Sequence, residues 1–515
     1  MRLSPWSSVF KKDIPTPNKA NKEGFPAYRG TPEMNLLSYL MTGSPTGYFY
    51  LNRDANLVEF ADFLNNYADS EFLAKATIYA RNNGYMREFP IAALVRLSVV
   101  DKPLFWKAYP RVLHNPHDWQ KLIDIARSGA FRKGLGRMLK RAIISAIAEM
   151  TAYHAVKYPQ AVRDMIRIAR PNEKINPAVI NYIMKGDHSG DELFEALAKL
   201  KAEEDPKKAA EIIRTAGLPY EVVTGSVKQM TPEIWDALFD IAPYFNFVRN
   251  LKNFLVNGVF NDGEKLERAV KRLTDKEAIR KSKLFPFRFY EAYIMLKYDG
   301  TYIMLKCHEV ANVLREALAK AVELSVENVP TIEGKTVIAP DVSGSMSSLV
   351  LRKSAMRCYD IVRIMTGILY RKSRDVMLLP FNHELRLNIA EEVQQRFEDG
   401  ENLIEATMPL GANGGTSLSA PIEYLIQNKI EVDNIIAITD NEEWVGRGFV
   451  EALNEYFKIN PDVNVYLITL IPYRDYPAPP GWGRVRFIFG WSDAVLKYIA
   501  EPPEAQVEDV RRVEW

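Results

Sequence analysis

The chain has 515 residues, of which 47% are hydrophobic and 26% charged, a composition that excludes a disordered or fibrous protein. At about 150 residues per domain, this length predicts two to four domains, or a repeat array with a further domain. Its two cysteines exclude a disulfide framework and a cysteine-rich zinc site. Such sparing use of cysteine is typical of a reducing compartment, so we expect a cytoplasmic protein. Every apolar run is shorter than the roughly 20 residues that a membrane span needs.

The formal charge is unevenly distributed along the chain. Residues 331–515 carry 19 basic and 27 acidic side chains, which leaves 48 basic and 38 acidic side chains in residues 1–330. Because summed charge sets the long-range field, a basic half joined to an acidic half predicts that only the first half meets a polyanion.

Residues 1–30 contain four prolines and scattered Lys and Asn, which is typical of an extended N-terminal arm. From residue 31 to residue 330, apolar residues recur at spacings of three and four, and Pro or Gly repeatedly interrupts the pattern. About 300 residues of consecutive helices exceed the core of one bundle. We therefore expect an α-helical solenoid of stacked, HEAT-like helix pairs.

The densest basic stretch of the chain lies between residues 131 and 170. Helical spacing places two groups of cations on helix faces, with aromatic residues between them. Guanidinium forks and aromatic rings suit phosphates and unstacked bases, although a solvated basic surface is the simpler interpretation and His154 has the alternative of a structural role. The candidate RNA-binding residues are Lys133, Arg137, Lys140, Arg141, Tyr153, His154, Lys157, Arg163, Arg167 and Arg170.

After Pro330 the pattern changes to short, continuous apolar runs that alternate with helical segments. Such runs are typical of a parallel sheet covered on both faces, so residues 331–515 are predicted to form a doubly wound α/β domain. The predicted strands are 336–340, 376–381, 434–439, 463–471 and 485–489, with a helix over 354–371.

Oxygen-bearing side chains follow two of these strands and one loop. Asp341, Ser343 and Ser345 form a D-x-S-x-S motif after the first strand, Thr416 follows two glycines, and Asp440 ends the third predicted strand. Hard divalent cations prefer oxygen ligands of this kind, so we expect a metal site for Mg²⁺, with Mn²⁺ or Ca²⁺ as alternatives.

The five residues resemble the metal ion-dependent adhesion site of von Willebrand factor A domains. Helix capping explains Asp341 but not Thr416 or Asp440. A haloacid dehalogenase-type phosphotransferase needs a second carboxylate where Ser343 stands. The site has no general base beside it, which argues against hydrolysis. Its open coordination position would take an acidic group of a partner.

Several helical segments, together with the A-domain motif, resemble the Ro autoantigen family, in which a TROVE module precedes a von Willebrand A domain. The matching segments are residues 80–88, 134–137, 157–158, 247–251 and 283–288. The resemblance implies helical repeats closed into a ring by the A domain. It also implies that misfolded noncoding RNAs thread a single-stranded end into the central hole, and that Y RNAs bind the outer surface.

The family pattern is matched unevenly. Candidates for the lining of the hole, from the family-like segments, are Arg249, Asn250 and Arg288. Family members commonly have Asp where this chain has Ser417, a change near the metal that can tune its affinity. They often have a histidine where this chain has Val162, which makes recognition of a Y-type RNA less secure than general RNA binding.

These observations predict a noncatalytic RNA-binding protein. The resemblance implies a monomer that acts in RNA quality control or processing, with an exoribonuclease such as polynucleotide phosphorylase as a partner. The main alternative is a protein-interaction adaptor that uses the metal site and the helical repeats, and a nuclease is a third hypothesis. Copurifying RNA would separate the first two.

Overall fold

The computed structural model describes residues 32–42, 53–84, 86–297, 307–350, 356–440, 448–470, 485–489, 493–500 and 503–515. The arm predicted over residues 1–30 lies outside these residues. Within them, no helix is long and apolar enough to cross a membrane.

The part of residues 32–328 that the structure describes is helical throughout, as the apolar spacing predicts. Two 3₁₀ turns, Val259–Asn261 and Val326–Asn328, accompany the α-helices. The helices are α1 (Pro32–Thr42), α2 (Arg53–Asn66), α3 (Ser70–Asn82), α4 (Glu88–Val100), α5 (Lys102–Val112), α6 (Pro116–Ser128), α7 (Gly136–Ala148), α8 (Ala152–Lys157), α9 (Pro159–Ala169), α10 (Pro177–Lys185), α11 (Glu192–Ala202), α12 (Pro206–Thr215), α13 (Tyr220–Thr224), α14 (Pro232–Ile241), α15 (Tyr244–Arg249), α16 (Leu251–Val256), α17 (Gly263–Leu273), α18 (Lys276–Ser282), α19 (Pro286–Lys297) and α20 (His308–Ser325).

Many of the Pro and Gly interruptions mark helix ends, and capping side chains explain why, although Pro110 lies inside α5. Asp101 accepts a hydrogen bond from the Leu104 amide (3.0 Å) at the start of α5. Asn115 caps α6 in the same way, immediately before Pro116, whose missing N–H costs nothing in the first turn. The same helix stops at Gly129, whose φ of 96° is left-handed.

One buried ion pair ties three of the first helices together. The Arg81 guanidinium lies 2.7 Å from the Asp118 carboxylate, and both side chains are only 6% exposed. Arg81 also donates to the carbonyls of Val112 (2.9 Å) and Met86 (3.2 Å). The pair therefore joins α3 to the end of α5 and the start of α6.

The C-terminal half forms a five-stranded parallel sheet in the order β2-β1-β3-β4-β5, which confirms the α/β prediction. A 3₁₀ turn, Gly344–Ser347, follows the first strand. The strands are β1 (Ile332–Pro340), β2 (Ser373–Leu378), β3 (Asn434–Thr439), β4 (Asn464–Thr469) and β5 (Val485–Phe489). The helices are α21 (Cys358–Lys372), α22 (Leu387–Glu398), α23 (Leu403–Ala406), α24 (Ala420–Gln427), α25 (Phe449–Ile459), α26 (Asp493–Ala500) and α27 (Pro503–Arg511).

Several boundaries differ from the sequence-based prediction. Strand β1 begins four residues earlier than predicted, and β4 spans 464–469 where 463–471 was predicted. Strand β2 begins and ends three residues earlier than predicted; it is an edge strand, where the exposed Arg374 and Asp375 are tolerated. The helix predicted from residue 354 begins at Cys358, and residues 351–355 lie outside the described part of the chain.

The α/β half contacts the helical repeats at both of their ends. Helices α19 and α20 pack on α21 and α23, while α26 and α27 pack on α1 and α3. Lys75 donates to the carbonyl of Arg511 (3.1 Å), and Arg111 donates to that of Glu514. The α/β half thus contacts helices at both the beginning and the end of the helical half.

Candidate metal centre and nucleic-acid interface

The D-x-S-x-S motif lies at the carboxyl edge of the sheet, where the strand order reverses. The chain leaves β1 for β2 on one side and returns to β3 on the other side. Asp341 follows β1 and Asp440 follows β3. Ligands of doubly wound sheets bind at such a switch point.

Asp341 is completely buried and held at both carboxylate oxygens. Its Oδ1 accepts the Ser343 amide (2.8 Å), and its Oδ2 accepts the Thr439 hydroxyl (2.6 Å). The Asp341 amide donates to the Ile438 carbonyl on β3 (2.9 Å). The carboxylate is therefore fixed in place by both strands at the switch point.

Burial raises the pKa of Asp341 to about 7. The hydrogen bonds from Ser343 and Thr439 oppose this rise, whereas the neighbouring Asp440 carboxylate adds to it. Two buried carboxylates that repel each other are stabilised by a shared proton or by a cation.

The three hydroxyls lie on two loops that contact each other. The hydroxyl oxygens of Ser343 and Ser345 are 3.1 Å apart, and Thr416 is buried. The amide of Gly344 donates to the carbonyl of Gly414 (2.8 Å). A Cβ at Gly344 would lie only 3.2 Å from that carbonyl oxygen, so glycine permits this close approach.

Sequence reasoning missed two residues that build the site. Asn382 follows β2, donates to the Asn413 carbonyl (2.9 Å) and accepts the Ser417 amide (2.6 Å) through its own carbonyl. Thr439 holds Asp341. Asn382 could have been predicted from its position, because it follows the end of β2 as Asp341 follows the end of β1.

The residues present fit a hard divalent cation. Two buried carboxylates and three hydroxyls supply oxygen donors alone, which is the ligand set that Mg²⁺ prefers. Among the described residues no three His, Cys, Asp or Glu side chains form a metal-binding group. A cation at this edge would therefore be held by carboxylates and hydroxyls together.

The first predicted cation group forms an exposed row on and beside α7. Lys133, Arg137, Lys140 and Arg141 are exposed, and among the described residues none of the four has an ion-pair partner. The opposite face of α7 is buried, including Leu139. We call these four residues the α7 basic row.

Helix α9 packs on α7 and adds two cations. Arg167 and Arg170 are exposed, and neither is paired within the described chain. Arg163 is half-buried and donates to the Ile183 carbonyl (3.4 Å). Val162 is completely buried, so the residue that departs from the family pattern lies in the core and not on the basic surface.

The aromatic residues between the two groups make internal contacts. Lys157 pairs with Glu221 (3.4 Å) and donates to the Tyr153 hydroxyl (3.1 Å). His154 caps α8 by accepting the Thr151 amide, and burial lowers its pKa. His154 therefore has the structural role weighed against RNA binding, whereas the ring of Tyr153 is 43% exposed.

Two of the three residues predicted to line a hole share one cavity. Arg249 and Arg288 line a cavity of about 410 Å³ between α15, α16 and α19, together with Lys252 and the partly exposed Phe245. Arg288 also pairs with Glu291 (3.5 Å). Three cations beside an exposed ring suit a nucleotide's phosphate and base.

Asn250 is not part of that cavity's lining. Its amide donates to the Asn246 carbonyl (2.9 Å), and its oxygen accepts from Asn253 (2.9 Å). These bonds stabilise the junction between α15 and α16, where the helix axis breaks.

Comparisons with known proteins agree with this architecture. The TROVE domain model matches residues 41–222 and 223–298, and the Ro60 vWA domain model matches residues 335–467. The chain belongs to the Ro autoantigen family.

Two relatives carry the name RNA-binding protein RO60. The Deinococcus radiodurans protein is 24% identical over 469 residues, which cover 83% of each chain. The Caenorhabditis elegans protein is 24% identical over 420 residues, which cover 78% of this chain and 60% of that one. The crystal structure of the D. radiodurans Ro protein shares the fold, with a TM-score of 0.74, 20% identity, and coverage of 91% of this chain and 99% of that chain.

Proposed function

We propose that this Ro-family protein is a noncatalytic RNA-binding protein that captures noncoding RNA through its helical repeats. The observation that carries the proposal is the α7 basic row, four exposed cations without ion-pair partners among the described residues. Cations left unpaired on a folded surface are available to neutralise phosphates, which supply most of the affinity for RNA. Both named relatives are RNA-binding proteins, which supports the assignment.

The proposal assigns two surfaces to two parts of the RNA. The α7 basic row, with Arg167 and Arg170 on α9, takes the structured part of the RNA. The cavity lined by Arg249 and Arg288 takes nucleotides of a single-stranded end, stacked on Phe245. A duplex about 20 Å across would stay on the outer surface, because a ring of helical repeats admits only a thin strand.

A misfolded RNA with a free 3′ end is the ligand that uses both surfaces, and we assign the protein to RNA quality control or processing. A Y-type RNA is a second candidate ligand. Because Val162 is buried, exposed arginines would have to hold that RNA in place of the histidine common in the family. We expect a cytoplasmic monomer that hands RNA to an exoribonuclease such as polynucleotide phosphorylase.

In the same proposal, Asp341, Ser343, Ser345, Thr416 and Asp440 hold a divalent cation, Mg²⁺ first and Mn²⁺ or Ca²⁺ as alternatives. The cation would supply an open coordination position for an acidic group of a protein partner. The alternative function, a protein-interaction adaptor, rests on this site. It predicts loss of partner binding, and unchanged RNA binding, when Asp341 is replaced.

The test uses an RNA hairpin with a single-stranded 3′ tail and the same hairpin with a blunt end. We expect the tailed RNA to bind at least tenfold more tightly in a competition gel shift, because a few stacked nucleotides supply about 1.4 kcal/mol. Arg249→Gln with Arg288→Gln should remove this advantage and leave blunt binding unchanged. Equal affinities for the two RNAs would refute threading, and no RNA affinity at all would favour the adaptor.

A further inference from the structure

A cavity of about 440 Å³ lies between α1, α2 and the turn that leads into α3, and its described lining shares no residue with the two surfaces proposed for RNA. Its volume falls within the range of sites for small organic ligands. Aromatic rings and carboxylates line it, and its described lining contains no Lys or Arg. The cavity is therefore unlike the basic surfaces assigned to RNA.

Three half-buried aromatic rings form a continuous wall of the cavity. The rings of Tyr39 and Phe63 have centroids 5.1 Å apart, and those of Phe63 and Tyr67 are 5.6 Å apart. The ring planes within these pairs are inclined to each other by 45° and 39°, so the three rings form a curved row. The faces of such rings carry negative electrostatic potential and attract cations.

Three carboxylates share the same lining: Glu33 at the start of α1, Asp62 on α2 and Asp69 before α3. Burial raises the pKa of the Tyr67 phenol, and the negative charges of Glu33 and Asp69 raise it further. One oxygen of Asp69 accepts the Phe72 amide (2.9 Å) and so stays at the rim. The carboxylates repel anionic ligands and favour cationic ones.

The arrangement does not suit a metal ion. Among the described residues no three acidic side chains come close enough together to coordinate one ion. Carboxylates spread around an aromatic wall instead match positive groups spread along a flexible carbon chain. Such a ligand places its methylene groups against the rings and its charged ends near the carboxylates.

We propose that this cavity binds an elongated organic cation that carries ammonium or guanidinium groups. The ligand is either a free polyamine or a basic side chain of a partner protein, and both share this chemistry. The site is separate from the RNA surfaces and from the cation site of the α/β half, so it adds a third binding function to the protein.

The test measures calorimetric binding to the RNA-free, full-length protein at 150 mM salt. The probes are spermidine, for a free cation, and a capped peptide with two arginines, for a partner's side chain. The same peptide with citrulline in place of arginine is the neutral control. We expect saturable binding of spermidine or of the arginine peptide, and none of the citrulline peptide. Binding of spermidine alone identifies a free cation, and binding of the peptide alone identifies a partner.

Four variants locate the site. Glu33→Gln and Tyr67→Leu should each weaken binding at least tenfold, whereas Tyr67→Phe keeps the ring and should bind normally. Glu71→Gln removes an exposed carboxylate outside the cavity and should have no effect. Circular dichroism checks the fold of each variant, and RNA affinity should stay unchanged in all four. Absence of saturable binding by both cations, equal binding of the citrulline peptide, or unaltered binding in Glu33→Gln would overturn the proposal.

Discussion

The indole ring of Trp515 lies below the ammonium group of Lys107, with 4.8 Å between the nitrogen and the ring centroid. Lys75 lies 5.7 Å from the same centroid and also donates to the Arg511 carbonyl. Lys107 is on α5 and Lys75 is on α3, so this contact fastens the C-terminal tail to the first helices. It is one of the contacts that join the two halves of the protein.

Replacing Trp515 with Ala should loosen this contact between the two halves without unfolding either half. A partly exposed cation–π contact contributes about 0.5–1 kcal/mol, and the ring also covers the lysine stems. We expect faster amide hydrogen exchange in α27 and α1 and unchanged exchange in the sheet. Trp515→Phe, which keeps a ring, should exchange at an intermediate rate. Unchanged exchange in Trp515→Ala would show that the tail does not help to hold the two halves together.

The buried pair between Arg81 and Asp118 should be essential for stability. Asp118→Ala leaves the Arg81 guanidinium buried without its carboxylate, which typically costs about 3–5 kcal/mol. Urea unfolding followed by circular dichroism measures this loss. The control is Glu277→Ala, which breaks the exposed pair with Arg280 and should cost far less, because water screens that pair. Similar losses in the two variants would contradict the role assigned to the buried pair.

The hydrogen bond from Thr439 to Asp341 should matter for metal binding. Thr439→Val removes the donor, and a hydrogen bond to a charged group contributes about 1.5–3 kcal/mol. We therefore expect Mg²⁺ affinity to fall at least tenfold in calorimetric titrations, while Thr439→Ser retains it.

Asp341→Ala should abolish Mg²⁺ binding and leave RNA binding nearly unchanged. Wild-type Mg²⁺ affinity in Asp341→Ala would refute the metal assignment.

The α7 basic row should set the salt dependence of RNA binding. Arg137→Glu with Lys140→Glu removes two phosphate contacts, so the slope of log affinity against log salt should become shallower by about 2. Tailed and blunt RNAs should be weakened alike, because both use the outer surface. Lys199→Glu with Lys201→Glu, which alters two exposed lysines on α11, is the matched control. An equal loss of RNA affinity in this lysine control would mean that the net charge of the protein, and not the α7 basic row, sets the affinity.

His154 should remain neutral at physiological pH and add no charge to the RNA surface. Burial and then Lys157 lower its pKa below the ordinary 6.5, so the folded protein binds this proton less readily than the unfolded chain does. Its contribution to stability is present above pH 6.5 and is lost as the pH falls through the lowered pKa. Carbon-13 labelling of the histidines and NMR titration measure the value directly. A pKa above 6.5 would contradict the capping role.

The sequence by itself determined the two architectures, and it predicted that Asp341 and Asp440 lie at one edge of the sheet. Apolar spacing is a local property, so it distinguishes the helical half from the parallel sheet without knowledge of the fold. Asp341 and Asp440 were predicted to share a site because the carboxyl ends of parallel strands meet at one edge. Asn382 stands at such an end too and was missed because its role is to hold loops through backbone bonds.

Only the tertiary structure decided which cations are available to a ligand. Arg137 and Lys157 are both candidate RNA-binding residues of the same basic stretch. Arg137 is exposed without an ion-pair partner in the described chain, whereas Lys157 pairs with Glu221, 64 residues away. The aromatic cavity could not be predicted from the sequence, because two helices and the turn after them form its wall together. Ion pairing and cavity lining depend on distances between residues far apart in sequence, and the folded chain alone sets these distances.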